Sequence, residues 1–198
     1  MLNIKPQVFK PSDLEKKAIS GDGLSAYLLG RGYFSEEFGL PQDYNKAKYW
    51  YQYGASELHD CHCMYGLGIC YDDGVGGLEQ NHEQATILFE QAYPEILSRA
   101  KKQEPYALFI LGAYYFYGLA NVTSSKEKAF EVIYQAALQG HLAAIYDIGT
   151  FYYKGTGCNK DVELSKQYLE LAAKSQLPRA KQKLKEWKLE KIVKERRK

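Results

Sequence analysis

The feature that most constrains this chain is a short string written four times: a Leu or Ile, then Gly, then a Tyr three residues after the Gly. The copies are Leu29-Gly30 with Tyr33, Leu67-Gly68 with Tyr71, Leu111-Gly112 with Tyr115, and Ile148-Gly149 with Tyr152. Their glycines lie 38, 44 and 37 residues apart. Three copies run on to a second Gly, at Gly74, Gly118 and Gly155, whereas the first has Glu36 there. Four residues before each Leu or Ile stands a small residue: Ser25, Cys63, Ala107 or Ala144. Self-similarity at such a period dictates a repeat architecture, because one unit cannot bury its apolar face alone and must stack on the next.

A second pattern follows each copy. Small residues seven apart recur as Ala47/Gly54, Ala85/Ala92, Ala129/Ala136 and Ser165/Ala172. Between them lie bulky pairs: Trp50-Tyr51, Leu88-Phe89, Val132-Ile133 and Tyr168-Leu169. Small, bulky and small residues at i, i+3/i+4 and i+7 trace one face of an α-helix. Asp43, Asn81, Ser125 and Asp161 stand four residues before the first small position, where an N-cap or first-turn residue belongs. Each unit is therefore predicted to be a helical hairpin whose first helix ends at a Gly able to take φ > 0. The short side chains let neighbouring helices approach, and the Leu, Tyr and bulky pair fill the space between hairpins.

These residues resemble the Sel-one-like repeat (SLR) family, a branch of the tetratricopeptide-like α-solenoids. The fourth unit is the clearest, with Ala144-Ile145-Tyr146-Asp147-Ile148-Gly149 followed by Tyr152, Gly155, Gly157 and Asp161. The first carries Asp43, Lys46-Ala47, Trp50-Tyr51 and Gly54-Ala55 in the family's second-helix positions. The resemblance spans about Ser12 to Trp187. It implies an all-α fold, a right-handed α-solenoid of about four helix-turn-helix repeats forming one domain over residues 1–198. The expected units are a cap at 11–21, repeats at about 22–58, 59–103, 104–140 and 141–176, and a basic capping helix at 178–198. In that last helix Leu184, Trp187 and Leu189 or Ile192 are expected to face inward. The second unit's excess lies around Tyr93 to Pro105, bracketed by Pro94 and Pro105. It is read as a longer connection that changes local curvature, or as a distinct contact element.

Aromatic content is 14%, with 18 Tyr against 8 Phe and 2 Trp. Phenols suit half-buried surfaces, where the ring packs and the hydroxyl stays wet. The net charge of +2 is too small for a general phosphate-neutralising binder, which argues against a nucleic-acid partner. It hides an asymmetry, since residues 179–198 hold 10 Lys+Arg and 3 Glu while the rest is mildly acidic. That basic tail reads as a solvated cap, with an acidic partner, nucleic acid or a targeting role as alternatives. The first residues lack the apolar run of a signal peptide, and no stretch approaches 18 apolar residues, so a cytoplasmic, non-membrane protein is expected. Four Cys in such a chain read as thiols rather than a disulfide framework.

Reactive chemistry has few candidates. His59-Asp60-Cys61-His62-Cys63, with Cys70 beyond, has donors at short spacing. Cys63, however, holds a small packing position, and no second Cys or His module completes four ligands. Structural thiols are the favoured reading over a metal site or a Cys–His nucleophile. Asp72-Asp73-Gly74-Val75-Gly76-Gly77 lacks the Gly-Lys-Ser/Thr of a phosphate loop and reads as helix termination. No catalytic residue, metal or cofactor is predicted. Some cysteine-rich SLR proteins have been linked to binding or hydrolysing penicillins, which makes a hydrolase the alternative function. Their paired cysteines in every repeat are missing from the first and third units here.

What the resemblance implies instead is partner binding on the concave face, lined by the first helix of each hairpin. Counting from each Leu-Gly pair, the aromatic row Tyr27, Tyr65, Phe109 and Tyr146 faces inward, either as hairpin packing or as contact residues. Arg31, Phe34, His62, Asp72, Asp73, Phe116, Tyr117, Tyr153 and Lys154 depart from the family pattern on that face. Exposed Tyr and Phe with flanking charge have the composition of an interface hot spot. The expected function is a non-catalytic module that binds a protein or peptide partner: an adaptor, a regulator or a toxin-neutralising immunity protein. A small-molecule substrate is not expected.

Overall fold

Each second helix starts at the cap the sequence marks. The side chains of Asp43, Asn81, Ser125 and Asp161 accept hydrogen bonds from the amides of Lys46, Gln84, Lys128 and Leu164, at 3.0, 2.9, 3.2 and 2.9 Å. Each satisfies a first-turn N–H that has no partner inside its helix. A computed structural model describes the backbone of residues 2–195 and the side chains of residues 2–187. Among the described residues there are ten α-helices and no strand. A short α1 (Pro11–Ile19) precedes four hairpins: α2 (Gly23–Ser35) with α3 (Tyr44–Ser56), α4 (Cys61–Asp73) with α5 (His82–Lys101), α6 (Pro105–Tyr117) with α7 (Lys126–Leu138), and α8 (Leu142–Lys154) with α9 (Val162–Lys174). Helix α10 (Pro178–Glu195) closes the stack. No described helix is long and apolar enough to cross a membrane.

The glycine of each Leu-Gly or Ile-Gly pair decides how the hairpin closes. The second residue of each bulky pair, Tyr51, Phe89, Ile133 and Leu169, lies directly on Gly30, Gly68, Gly112 and Gly149 respectively. A Cβ at any of these glycines would approach that side chain closer than 3.0 Å. Tyr51 also fills the space over Gly66, and so wedges the first hairpin against the second. The small positions Ala26, Ala47, Ala85, Ala92, Ala107, Ala129, Ala136, Ala144 and Ala172 are buried between helices.

Gly74, Gly118 and Gly155 end the first helices in the left-handed region, where a Cβ is penalised. Glu36 takes the same backbone conformation without being glycine, at φ 56°, and Phe38 follows at φ 58°. Between them Glu37 turns inward and is 2% exposed. It occupies the place that Val75 and Leu119 hold in the next two loops. An apolar loop position has become a buried charge.

The expected longer connection after the second hairpin is instead more helix. Helix α5 runs for 20 residues with Pro94 inside it. Its buried stripe Leu88, Ala92, Ile96 and Ala100 keeps helical spacing straight through the proline. Burial of that stripe outweighs the hydrogen bond that proline cannot make.

Both ends are tied down. Leu14 and Ala18 of α1 are buried, as are Leu177 and Ala180 at the start of α10, where Leu184 is half-buried and Trp187 packs on Tyr153 at 5.1 Å. The side chains of Leu189 and Ile192 lie outside the described residues. Ahead of α1 an extended segment crosses the turn between α7 and α8. There the Gln7 amide donates to the Gly140 carbonyl at 2.8 Å, and its side-chain Nε2 donates to Gln139 O at 3.0 Å.

Gly112→Ala should destabilise the protein by about 1–3 kcal/mol, because its methyl meets Ile133. Adding Ile133→Val should return part of that loss in urea or thermal unfolding. An unchanged midpoint for Gly112→Ala would show that glycine at this position is not a packing requirement.

Candidate functional site

The stack curves enough for repeats one and three to touch on its inner side. Tyr27 of α2 reaches Tyr106 of α6 edge-on at 6.3 Å, and the Arg31 guanidinium lies 4.8 Å above the Phe109 ring. His62 packs on Tyr27 at 5.5 Å, while His141 stacks on Phe109 at 4.4 Å and meets Tyr106 at 4.5 Å. Phe9 of the leading segment seals this layer against Phe38 and Tyr106 at 5.5 and 6.4 Å. The N-terminal half of the inner wall is therefore filled by the chain itself.

The other half is open. A groove of about 770 Å³ runs along the first helices from their middle turns toward their C-terminal ends. Of the thirteen residues expected on this face, nine line it: Tyr27, Arg31, Phe34, Tyr65, Asp72, Asp73, Phe109, Phe116 and Tyr117. The structure takes the other four elsewhere. His62 is 1% exposed, and Tyr146 lies under the Arg179 guanidinium at 4.6 Å. Tyr153 faces Trp187, and Lys154 is exposed at the end of α8 outside the groove. His62 is displaced because the inner wall closes over the start of α4, and Tyr146 because Arg179 of α10 lies over its ring. Tyr153 is displaced because α10 packs where a fifth hairpin would stand.

Tyr117 is the groove's exposed ring, at 70%, and packs on Phe116 at 4.9 Å. Phe116 in turn stacks on Phe151 at 5.6 Å. Behind the first helices, Tyr51, Phe89 and Ile133 show through at the glycine positions and floor the groove. Two charged lining residues were missed by sequence reasoning, Asp147 and Arg179. Asp147 was legible as a departure, since it stands one residue before Ile148 where the other units have Leu28, Gly66 and Ile110. Arg179 was hidden in a run of basic residues and is singled out only by packing.

At one end of the groove sits an ion cluster built on the buried pair Arg31 and Glu37. Arg31 donates to both oxygens of Glu37, at 3.2 and 2.5 Å, and Arg179 lies 3.7 Å from the same carboxylate. Burial opposes the Arg31 charge, but Glu37 and the Tyr27 hydroxyl outweigh it and keep the guanidinium protonated. The cluster links the first hairpin's loop to α10 across the inside of the stack.

The thiols sit away from the groove. Cys61, Cys63 and Cys70 are buried and unbridged. Burial, with Asp60 adding to it at Cys61, pushes Cys61 up to about 12, and burial does the same at Cys70. Such protonated thiols are poor nucleophiles. Asp60, Cys61 and His62 bring one donor atom each within 4.8 Å of one another. Asp60 is engaged there as the α4 N-cap, accepting from the Cys63 amide at 3.0 Å and facing His62 Nδ1 at 3.3 Å. Burial raises the Asp60 pKa, but those two partners prevail and hold it below the usual carboxylate range.

Comparison with known proteins places these features in context. The Sel1 repeat family model matches residues 23–57, 61–93, 105–141 and 142–177. The chain is 30% identical over 128 residues to chitin synthase regulatory factor 1 of Schizosaccharomyces pombe, covering 64% of this chain and 26% of that protein. It is 26% identical over 161 residues to a chitin synthase regulator of Saccharomyces cerevisiae, covering 77% of this chain and 22% of that one. The chain thus spans only a minor part of either relative's length. Among solved structures, a Sel1 repeat protein from Oxalobacter formigenes superposes with a TM-score of 0.46 at 25% identity, over 81% of this chain and 61% of that chain. A protective antigen of uropathogenic Escherichia coli strains displaying an SLR fold gives 0.43 at 27% identity, over 84% and 33%.

His141 makes folding pH-dependent. Its Nδ1 accepts from the Ala144 amide at 3.1 Å, and burial, then Arg31 and Arg179, hold its pKa well below the ordinary value. The unfolded chain protonates this imidazole near about pH 6.5 while the folded chain does not, so stability falls as pH drops below that point. The unfolding free energy should fall by about 1.4 kcal/mol in all between pH 7.5 and 5.5, most of it below the unfolded-state pKa. His141→Asn, which keeps a capping oxygen, should flatten that slope. An equal slope in the variant would assign the titration to other groups.

Proposed function

Because the chain belongs to the Sel1 repeat family, we propose that it is a regulatory protein-interaction module that holds a segment of a partner protein in its inner groove. The observation that carries this reading is the open groove itself, of about 770 Å³ and rimmed by the exposed Tyr117 with Phe116, Phe109 and Phe34. Rigid aromatic side chains provide large contact area at small entropic cost, which is why they dominate interface hot spots. Both curated relatives are named as regulators of chitin synthase, which supports a regulatory role for a repeat array of this kind. The reactive side chains support it as well: Cys61, Cys63 and Cys70 are buried outside the groove lining and held protonated. The array acts by presenting a shaped surface, with the four hairpins as a scaffold and the groove as the contact.

Immobilised protein should capture one stoichiometric partner from the source organism's lysate. Tyr117→Ala or Phe116→Ala should weaken that capture at least about tenfold, roughly 1.4 kcal/mol, with little change in thermal midpoint. Tyr49→Ala, at an exposed ring on α3 outside the groove, should leave capture intact. Capture that survives both groove substitutions would overturn the reading, and a collapsed midpoint would class those rings as core.

A further inference from the structure

The groove is acidic where local stability disfavours acid. Asp72 and Asp73 end α4, at the negative pole of the helix dipole, where a carboxylate is unfavourable and a cation is preferred. The matching positions of the other first helices hold Phe34 and Ser35, Phe116 and Tyr117, and Tyr153 and Lys154. Asp147 is a third carboxylate on the wall, at a position that is apolar or glycine in the other three units. Three departures from the repeat converge on one cavity.

The cations already present do not neutralise them all. Arg31 is bound to Glu37, and Arg179 stacks on Tyr146 with Glu37 as its nearest carboxylate. Asp72 is hydrogen-bonded to His82 Nδ1 at 2.6 Å. Among the described residues, neither Asp73 nor Asp147 has an ion pair. Burial raises the Asp147 pKa despite Arg179 and Arg31, and burial with the neighbouring Asp72 raises that of Asp73. Both carboxylates act on the Tyr117 hydroxyl, whose ring stands exposed at the rim. Carboxylates beside aromatic faces form the chemistry that recognises an organic cation, through charge and through the ring quadrupole together.

We propose that the partner segment is basic, and that it seats a lysine or arginine side chain against Asp73 of α4 and Asp147 of α8, beside the Tyr117 ring. The cation supplies the counter-charge these two groups lack, and Phe116 packs its aliphatic stem. This inference rests on the groove being the docking site.

The test titrates the full chain into fluorescently labelled, end-capped penta-arginine and penta-glutamate peptides at low salt, following anisotropy. Penta-arginine should bind, and Asp73→Asn with Asp147→Asn should weaken it at least tenfold, as should Tyr117→Ala. Should the double variant fail to fold, Asp73→Asn alone, at an exposed helix end, should still lower affinity several-fold. Penta-arginine binding that ignores the carboxamide substitutions overturns the proposal. If penta-glutamate binds instead and depends on Tyr117, the docking groove stands and only its charge preference fails. If neither peptide depends on Tyr117, the groove reading fails too. Sedimentation of the unliganded chain covers the remaining occupant: a dimer dissolved by Asp73→Asn with Asp147→Asn would place a second copy's basic α10 in the groove and overturn the assignment to another protein.

Discussion

Everything in this fold depends on how closely two helices approach over a glycine. In each hairpin one bulky side chain of the second helix rests on the bare Cα of the first, and no Cβ fits between them. That contact sets the separation within a hairpin. Tyr51, lying over both Gly30 and Gly66, extends it to the separation between hairpins. Close-packed interiors transmit such constraints because they contain few voids to absorb them. The curvature that brings repeat one against repeat three follows from repeating the same small offset four times.

That curvature divides the inner wall into two halves with different fates. Toward the starts of the first helices the wall closes on rings and two buried imidazoles, with Phe9 and the extended leading segment completing the layer. Toward their ends it stays open. The Arg31–Glu37–Arg179 cluster stands at the junction. The buried Arg31–Glu37 pair adds little net stability over an apolar core, yet losing Glu37 costs about 3–5 kcal/mol because the buried Arg31 charge is left uncompensated. Such a cluster fixes one arrangement of the first loop relative to α10 more than it strengthens the fold. The left-handed Glu36 and Phe38 that aim Glu37 inward are a strained backbone held by that same arrangement.

The groove draws its character from exceptions to the repeat. Positions that obey the pattern are consumed in packing, as Ala107, Leu111 and Gly112 show in the third unit. Positions that break it, Asp73, Tyr117 and Asp147, are left on the surface of a cavity. In a repeat array the consensus serves stacking, so departures at inward positions are where specificity has room to arise.

The repeat period, the helix caps, the glycine ends of the first helices and the all-α stacking were readable in the sequence, because each rests on interactions within one unit or between neighbours. Most groove residues were readable for the same reason, since counting from each Leu-Gly pair assigns a helix face. Contacts between distant parts of the chain were not. His62 and Tyr146 occupy inward positions by register, yet His62 is buried against Tyr27 of the preceding repeat and Tyr146 is half-buried under Arg179 of α10. The helical path of α5 through Pro94, the inward turn of Glu37 and the selection of Arg179 from ten similar charges in the tail were likewise decided only by tertiary packing. Local pattern determines which face of a helix points inward. How far the stack bends, and so which inward faces remain open, is set by the sum of all its packed interfaces.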